Sequence, residues 1–104
     1  MPGRSDILIE IYSMAEHNEE IKQFIRDHSG LFWYIKPEAK ERISLEFLVE
    51  TILNYGSLGD VKKLFELIGL KETAKIFFRR STMKRNNYFP QVKNYFTMYF
   101  NRHA

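Results

Sequence analysis

Basic side chains that could bind phosphate or carboxylate groups are concentrated in the C-terminal third of the chain. Two pairs, Arg79–Arg80 and Lys84–Arg85, lie within seven positions, and their cationic groups can form charge-assisted hydrogen bonds to anions. Residues 73–104 contain seven Lys or Arg and no Asp or Glu. This charge of one sign indicates an acidic partner. The candidate binding residues are Lys71, Lys75, Arg79, Arg80, Lys84 and Arg85.

The net charge of +3 conceals two halves of opposite sign. Residues 1–60 contain 6 basic and 11 acidic side chains, whereas residues 61–104 contain 10 basic and 2 acidic ones. Because the positive charge is confined to the second part, we expect that part to contact either an acidic protein surface or a nucleic-acid backbone.

Residues suited to catalysis are few and badly spaced. The chain has no Cys and three His, and no His has the second set of carboxylates that a bridged metal site needs. Ser57 and Asp60 resemble the start of a nucleotidyltransferase site, but Lys62 follows where a second metal-binding carboxylate is required. We therefore predict a protein that is not an enzyme and has no metal site and no cofactor.

The elements that position these residues are predicted to be helices. Apolar residues recur every three or four positions, and no sustained alternation of period two appears. We predict an all-α fold, a compact bundle of about five to six helices, and a single domain over residues 1–104, since this length is common for one core. No apolar run is long enough to span a membrane, and we expect a cytoplasmic protein.

The N-terminal helical segment covers residues 1–29, and residues 30–101 form the rest of the helical core. One helix is predicted from Asp6 to Glu16, and a second is predicted to be capped by Asn18 and to stop at Gly30. Whether these are one bent helix or two stays open. The apolar run Leu31–Ile35 is predicted to be an irregular segment in the core.

Caps and glycines divide the remaining sequence into four helices and one loop. A helix at residues 45–55 is predicted to carry Glu50 and Asn54 on its polar face. Ser57 and Asp60 predict a capping box for the next helix, which Gly69 ends. The last two helices are predicted at residues 71–80 and from 90 onward, with a loop at 81–89 between them.

Residues 57–80 have the outline of a helix-turn-helix, which gives an alternative function in DNA binding. Its second helix would present Lys71, Thr73, Lys75 and Arg79 to a groove of the DNA. Basic residues within Arg79–Arg85 would contact the phosphates. Glu72 is poorly placed against phosphates, and short connections produce the same outline in any helical bundle.

Half of the sixteen aromatic residues follow Thr73. Tyr95 with Tyr99, and Phe96 with Phe100, are four positions apart, which is how a helix builds a core face. We assign Phe77, Phe96 and Phe100 to the core. Tyr88 and Phe89 are expected to be the exposed rings.

Several motifs between Leu31 and Asn101 resemble a family of small bacterial all-helical proteins of uncharacterised function. They are Leu31-Phe32-Trp33, the run Phe47–Leu53 before Tyr55-Gly56, the run Leu58–Phe65, Arg79-Arg80-Ser81, and Asn94-Tyr95-Phe96 with Phe100. The chain has Tyr34 where the family usually has an acid, and Phe96 where it usually has Trp. Members often lie beside genes for nucleotidyltransferase-like toxins, so the resemblance implies an antitoxin-like or accessory role and no catalytic residues.

The sequence therefore predicts a non-enzymatic helical interaction module, antitoxin-like or accessory, that binds an acidic protein partner through a basic C-terminal face. The alternative is a helix-turn-helix DNA-binding protein. The oligomeric state and the identity of the partner stay open.

Overall fold

A computed structural model of the protein describes residues 17–104. Five α-helices and two short 3₁₀ helices make up most of this part of the chain. The α-helices are α1 (Glu19–Asp27), α2 (Leu45–Tyr55), α3 (Leu58–Ile68), α4 (Leu70–Ser81) and α5 (Pro90–His103), and the 3₁₀ helices are Ser29–Phe32 and Pro37–Arg42. The all-α class and the number of helices are confirmed. The helix predicted at residues 6–16 lies outside the described residues.

The chain divides into two compact units, Met1–Leu48 and Val49–Ala104. Each is described by itself, and the single domain over residues 1–104 stays a prediction. None of the helices in residues 17–104 is both long enough and apolar enough to cross a membrane.

In the first unit, α1 begins where its cap predicts. The side chain of Asn18 accepts a hydrogen bond of 2.9 Å from the backbone N–H of Ile21, which satisfies one of the free donors at the helix start. The prediction that Gly30 ends this helix is wrong, because the helix already ends at Asp27. His28 bonds the Phe24 carbonyl through Nδ1 at 2.7 Å, so the last turn is capped without a left-handed glycine.

The Leu31–Ile35 segment is only partly in the core. Phe32 and Ile35 are buried, as predicted, but Trp33 and Tyr34 are 79% and 53% exposed. The 3₁₀ helix Ser29–Phe32 ends inside this segment. A turn follows it, in which the N–H of Ile35 donates to the carbonyl of Phe32 at 2.9 Å. The two residues between the buried pair therefore face outward, and the prediction of a wholly buried segment is wrong for them.

In the second unit, the helix boundaries follow local signals. Ser57 and Asp60 form the predicted capping box at the start of α3. Gly69 alone separates α3 from α4, and its φ of 97° is one that glycine adopts without steric cost. Pro90 is the first residue of α5, and residues 82–89 form the predicted loop.

Aromatic rings from α4, α5 and the loop between them form the core of the second unit. Phe77, Phe96 and Phe100 are buried, as predicted, and the Phe77 ring lies 5.3 Å from that of Phe100. Tyr88 was predicted to be exposed and is instead buried, with its ring 5.0 Å from Phe77. Tyr95 was predicted to share the core face and is instead 58% exposed, because α5 buries the side that carries Phe96 and Phe100.

Candidate binding surface of the second unit

Three of the predicted binding residues lie on the outer face of α4. Lys71, Lys75 and Arg79 are exposed and four positions apart, so they follow one another along one side of the helix. Ala74 and Phe77 are buried on the opposite side. The packing of α4 therefore turns these three cations toward solvent, as predicted.

Two further predicted residues, Lys84 and Arg85, are exposed in the loop between α4 and α5. The loop is ordered by Asn86, whose side-chain amide donates to the carbonyl of Met83 at 2.8 Å and whose side-chain oxygen accepts from the N–H of Tyr88 at 3.1 Å. The backbone that carries Lys84 and Arg85 is therefore held in one conformation after the end of α4.

Arg80 is placed differently from the other five predicted residues. Its Nε lies 3.6 Å from a carboxylate oxygen of Glu50, and the two side chains are only 13% and 3% exposed. Glu50 was predicted on the polar face of α2 but is buried, so that prediction is wrong. Arg80 acts as the counterion of this buried acid and is not a surface cation.

The same carboxylate holds the loop. Glu50 accepts hydrogen bonds from the backbone N–H and the side-chain amide of Asn87, at 2.9 and 3.3 Å. One turn further along α2, Asn54 donates to the Asn87 carbonyl at 2.9 Å and accepts from the N–H of Phe89 at 3.2 Å. We refer to Glu50, Asn54, Arg80 and Asn87 as the loop clamp, since together they fix the segment that carries Lys84 and Arg85.

Sequence reasoning missed the loop clamp because its contacts span 30 positions or more. One local signal was present. Arg80 lies three positions after the core residue Phe77, and this spacing puts it at the edge of the buried face of α4.

Tyr88 is buried beside the loop clamp. Its hydroxyl has no hydrogen-bond partner within the described part of the chain. Burial raises the pKa of the Tyr88 phenol far above its usual value, and the negative charge of Glu50 raises it further while Arg80 opposes the rise. The phenol therefore stays neutral and packs as an apolar ring.

The predicted helix-turn-helix presentation differs from the structure at Thr73. The prediction that this residue faces a groove is wrong, because Thr73 is fully buried and its hydroxyl donates to the carbonyl of Gly69 at 2.6 Å. Glu72 is exposed in the same turn as Lys71. The link between the helices is one residue, shorter than the three to four residues of the usual motif.

Large apolar side chains are also exposed in this unit. Leu58 and Met98 are 70% and 66% exposed, and Tyr55 packs edge to face on Phe89 at 5.2 Å with both rings partly in solvent. Tyr and Met are enriched at protein interfaces. The second unit thus combines exposed cations with exposed apolar groups.

Within residues 17–104, no group of three or more His, Asp or Glu side chains could hold a metal ion. Comparisons with protein families, with curated proteins and with solved structures found no match to the chain. The resemblance given by its motifs therefore stays a prediction.

Proposed function

We propose that this protein is a non-enzymatic helical interaction module that binds an acidic protein partner. The observation that supports this most directly is the basic face of the second unit. We define the basic face as Lys71, Lys75 and Arg79 on α4 together with Lys84 and Arg85 in the loop, all of them exposed.

Four of the five residues of the basic face, Lys71, Lys75, Lys84 and Arg85, have charges that are available to a partner within the described part of the chain. Among the described residues, no ion pair forms at Lys71, at Lys75 or at the two loop cations. The only acidic residue from Gly69 to the end of the chain is Glu72. Such a field attracts an acidic surface at long range and orients it on contact.

Several features favour a protein over duplex DNA as the partner. The exposed Glu72 beside Lys71 would repel phosphates, whereas a protein surface can offer it a cation. Exposed apolar side chains such as Leu58 and Met98 contribute affinity only where a partner covers them. Thr73, one of the four residues that the DNA-binding hypothesis presents to a groove, is buried.

The biological role follows from the motifs that resemble the bacterial family. Its members often lie beside nucleotidyltransferase-like toxin genes, so we propose an antitoxin-like or accessory role. The acidic partner is then the product of the neighbouring gene, and the basic face is the surface that contacts it.

Co-expression with the product of the neighbouring gene tests this proposal. We expect the two proteins to co-purify, and we expect the complex to be lost when the five residues of the basic face are changed to Ala. A control variant removes the same number of exposed cations elsewhere: Lys36, Arg42, Lys62, Lys63 and Lys93. This control should keep the complex, since the proposal depends on where the charge lies.

Two results would contradict the proposal. If both variants weaken the complex equally, overall charge and not the basic face is responsible. If the chain purifies alone but binds duplex DNA, with affinity falling between about 50 and 200 mM salt by a log–log slope of about 0.9 per phosphate, DNA is the ligand.

A further inference from the structure

The outer side of α5 carries a shallow depression separate from the basic face. It has a volume of about 350 Å³ and is lined by Tyr95, Met98, Tyr99, Arg102 and His103. These positions repeat with a spacing of three and four, so they lie along one side of the helix.

The depression has an apolar, preformed floor. The Tyr99 ring is stacked on that of Phe65 at a centroid distance of 5.9 Å and lies 4.7 Å from that of His103, so neighbouring rings hold it in place. Tyr95 and Met98 stand beside it and are 58% and 66% exposed. Aromatic residues and Met are enriched at protein interfaces.

The charged side chains of α5, Lys93 and Arg102, are both basic, and the helix contains no Asp or Glu. Arg102 lies at the C-terminal end of the depression, next to the His103 ring. A second copy of the same helix would bring like charges together, whereas a segment with carboxylates would complement them. Charge complementarity thus selects an acidic occupant.

We propose that this side of α5 binds an amphipathic acidic α-helix of the partner. The apolar side of that helix would cover Tyr95 and Met98, and its flanking carboxylates would pair with Arg102. Spacing of three and four along α5 suits the packing of one helix against another, and Met adapts to irregular partner surfaces. This inference rests on the proposed function and adds the shape of the partner to its charge.

Two synthetic peptides of identical composition test the inference. One places Leu at helical spacing with Glu on the remaining positions, and the other has the same residues in an order that gives no apolar side. Binding of each peptide to the full chain is measured by fluorescence anisotropy at about 150 mM salt. We expect the amphipathic peptide to bind about tenfold more tightly, because only its apolar side can cover the two exposed residues.

Variants on α5 separate this surface from the basic face. The double change Tyr95→Ala and Met98→Ala should weaken the amphipathic peptide by about tenfold and leave the scrambled peptide unchanged. Asn94→Ala with Asn101→Ala is the matched control, since both residues are exposed on α5 outside the depression, and it should change neither affinity. Far-UV circular dichroism verifies that each variant keeps its helices.

The possible failures are distinguishable. Equal binding of the two peptides, or no effect of the Tyr95 and Met98 changes, overturns the inference. The proposed function survives that result if changing the basic face to Ala weakens both peptides. It fails if the same change leaves the complex with the product of the neighbouring gene intact. A concentration-dependent dimer that disappears in the Tyr95 and Met98 variant would make a second copy the occupant and would also overturn the inference.

Discussion

Replacing Arg80 with Ala tests the claim that this residue stabilises the fold instead of binding a partner. The change removes the counterion of Glu50, whose side chain is only 3% exposed. At the separation of 3.6 Å and an effective dielectric constant of about 20, Coulomb's law gives an attraction of about 4 to 5 kcal/mol. Breaking a buried pair by removing one partner costs about 3 to 5 kcal/mol.

We expect the lower end of that range, a loss of about 3 kcal/mol in the free energy of unfolding. Glu50 retains two hydrogen bonds from Asn87 in the variant, and these still stabilise its negative charge. Since small domains have a slope of about 1 to 3 kcal/mol per M urea, the unfolding midpoint should fall by about 1 to 3 M. Circular dichroism of the full chain during urea titration measures it.

Arg85→Ala is the matched control, because it removes the same side chain from an exposed position of the adjoining loop. Its effect on stability should stay within about 0.5 kcal/mol. Adding Glu50→Gln to Arg80→Ala should recover part of the lost stability, since no unpaired buried charge is then left. If the Arg80 and Arg85 variants unfold at the same urea concentration, the ion pair contributes nothing and the reasoning is refuted.

Three further predictions concern single positions of the second unit. Tyr88→Phe should raise stability by about 1 kcal/mol at neutral pH, because the buried hydroxyl has no partner within residues 17–104. The raised pKa of Tyr88 keeps the phenol protonated in the folded state, so the wild type loses stability as the pH rises above about 10, where the unfolded phenol ionises. The advantage of Tyr88→Phe should therefore grow there by about 1.4 kcal/mol per pH unit, and a constant difference in urea titrations would contradict this. Ser57→Ala should cost about 1 kcal/mol by removing the acceptor for the N–H of Asp60, while Ser57→Asn, which can still cap, should lose little in the same titration. Gly69→Ala should cost about 1 to 3 kcal/mol, because its φ of 97° strains any L side chain although no described atom lies within 4 Å of the added Cβ. Gly59→Ala should instead raise the stability, because Gly59 lies inside α3, where Ala is the better helix former. The added Cβ would make only an ordinary contact, 3.7 Å from the hydroxyl oxygen of Ser57, and thermal unfolding measures the change.

Most of the helix boundaries could be predicted because their causes are local. Asn18 and Ser57 cap helices through groups three positions away, and Pro90 begins α5 with a φ that suits a first turn. The same locality explains why Lys71, Lys75 and Arg79, which are four positions apart, lie together on the exposed face of α4. Spacing alone determines which residues lie side by side on a helix.

The errors arise where a distant contact overrides local polarity. Glu50 looked like a solvent-facing residue by its type, yet Arg80 and Asn87, at least 30 positions later, satisfy its charge in the interior. Tyr88 looked exposed because it follows two Asn, but Phe77 provides a ring to pack against. The polarity pattern within a few residues of the sequence contains no information on such distant contacts.

The loop clamp holds the loop mainly through hydrogen bonds to main-chain groups of the loop. Asn54 and Glu50 form hydrogen bonds with the N–H and carbonyl of Asn87 and with the N–H of Phe89. Among the described residues, neither forms a hydrogen bond or ion pair with the side chain of Lys84 or Arg85. We therefore expect that substitutions at these two positions leave the backbone conformation of the loop unchanged. Selection, or a protein engineer, could exchange their charges to redirect the molecule toward a different ligand without rebuilding the scaffold.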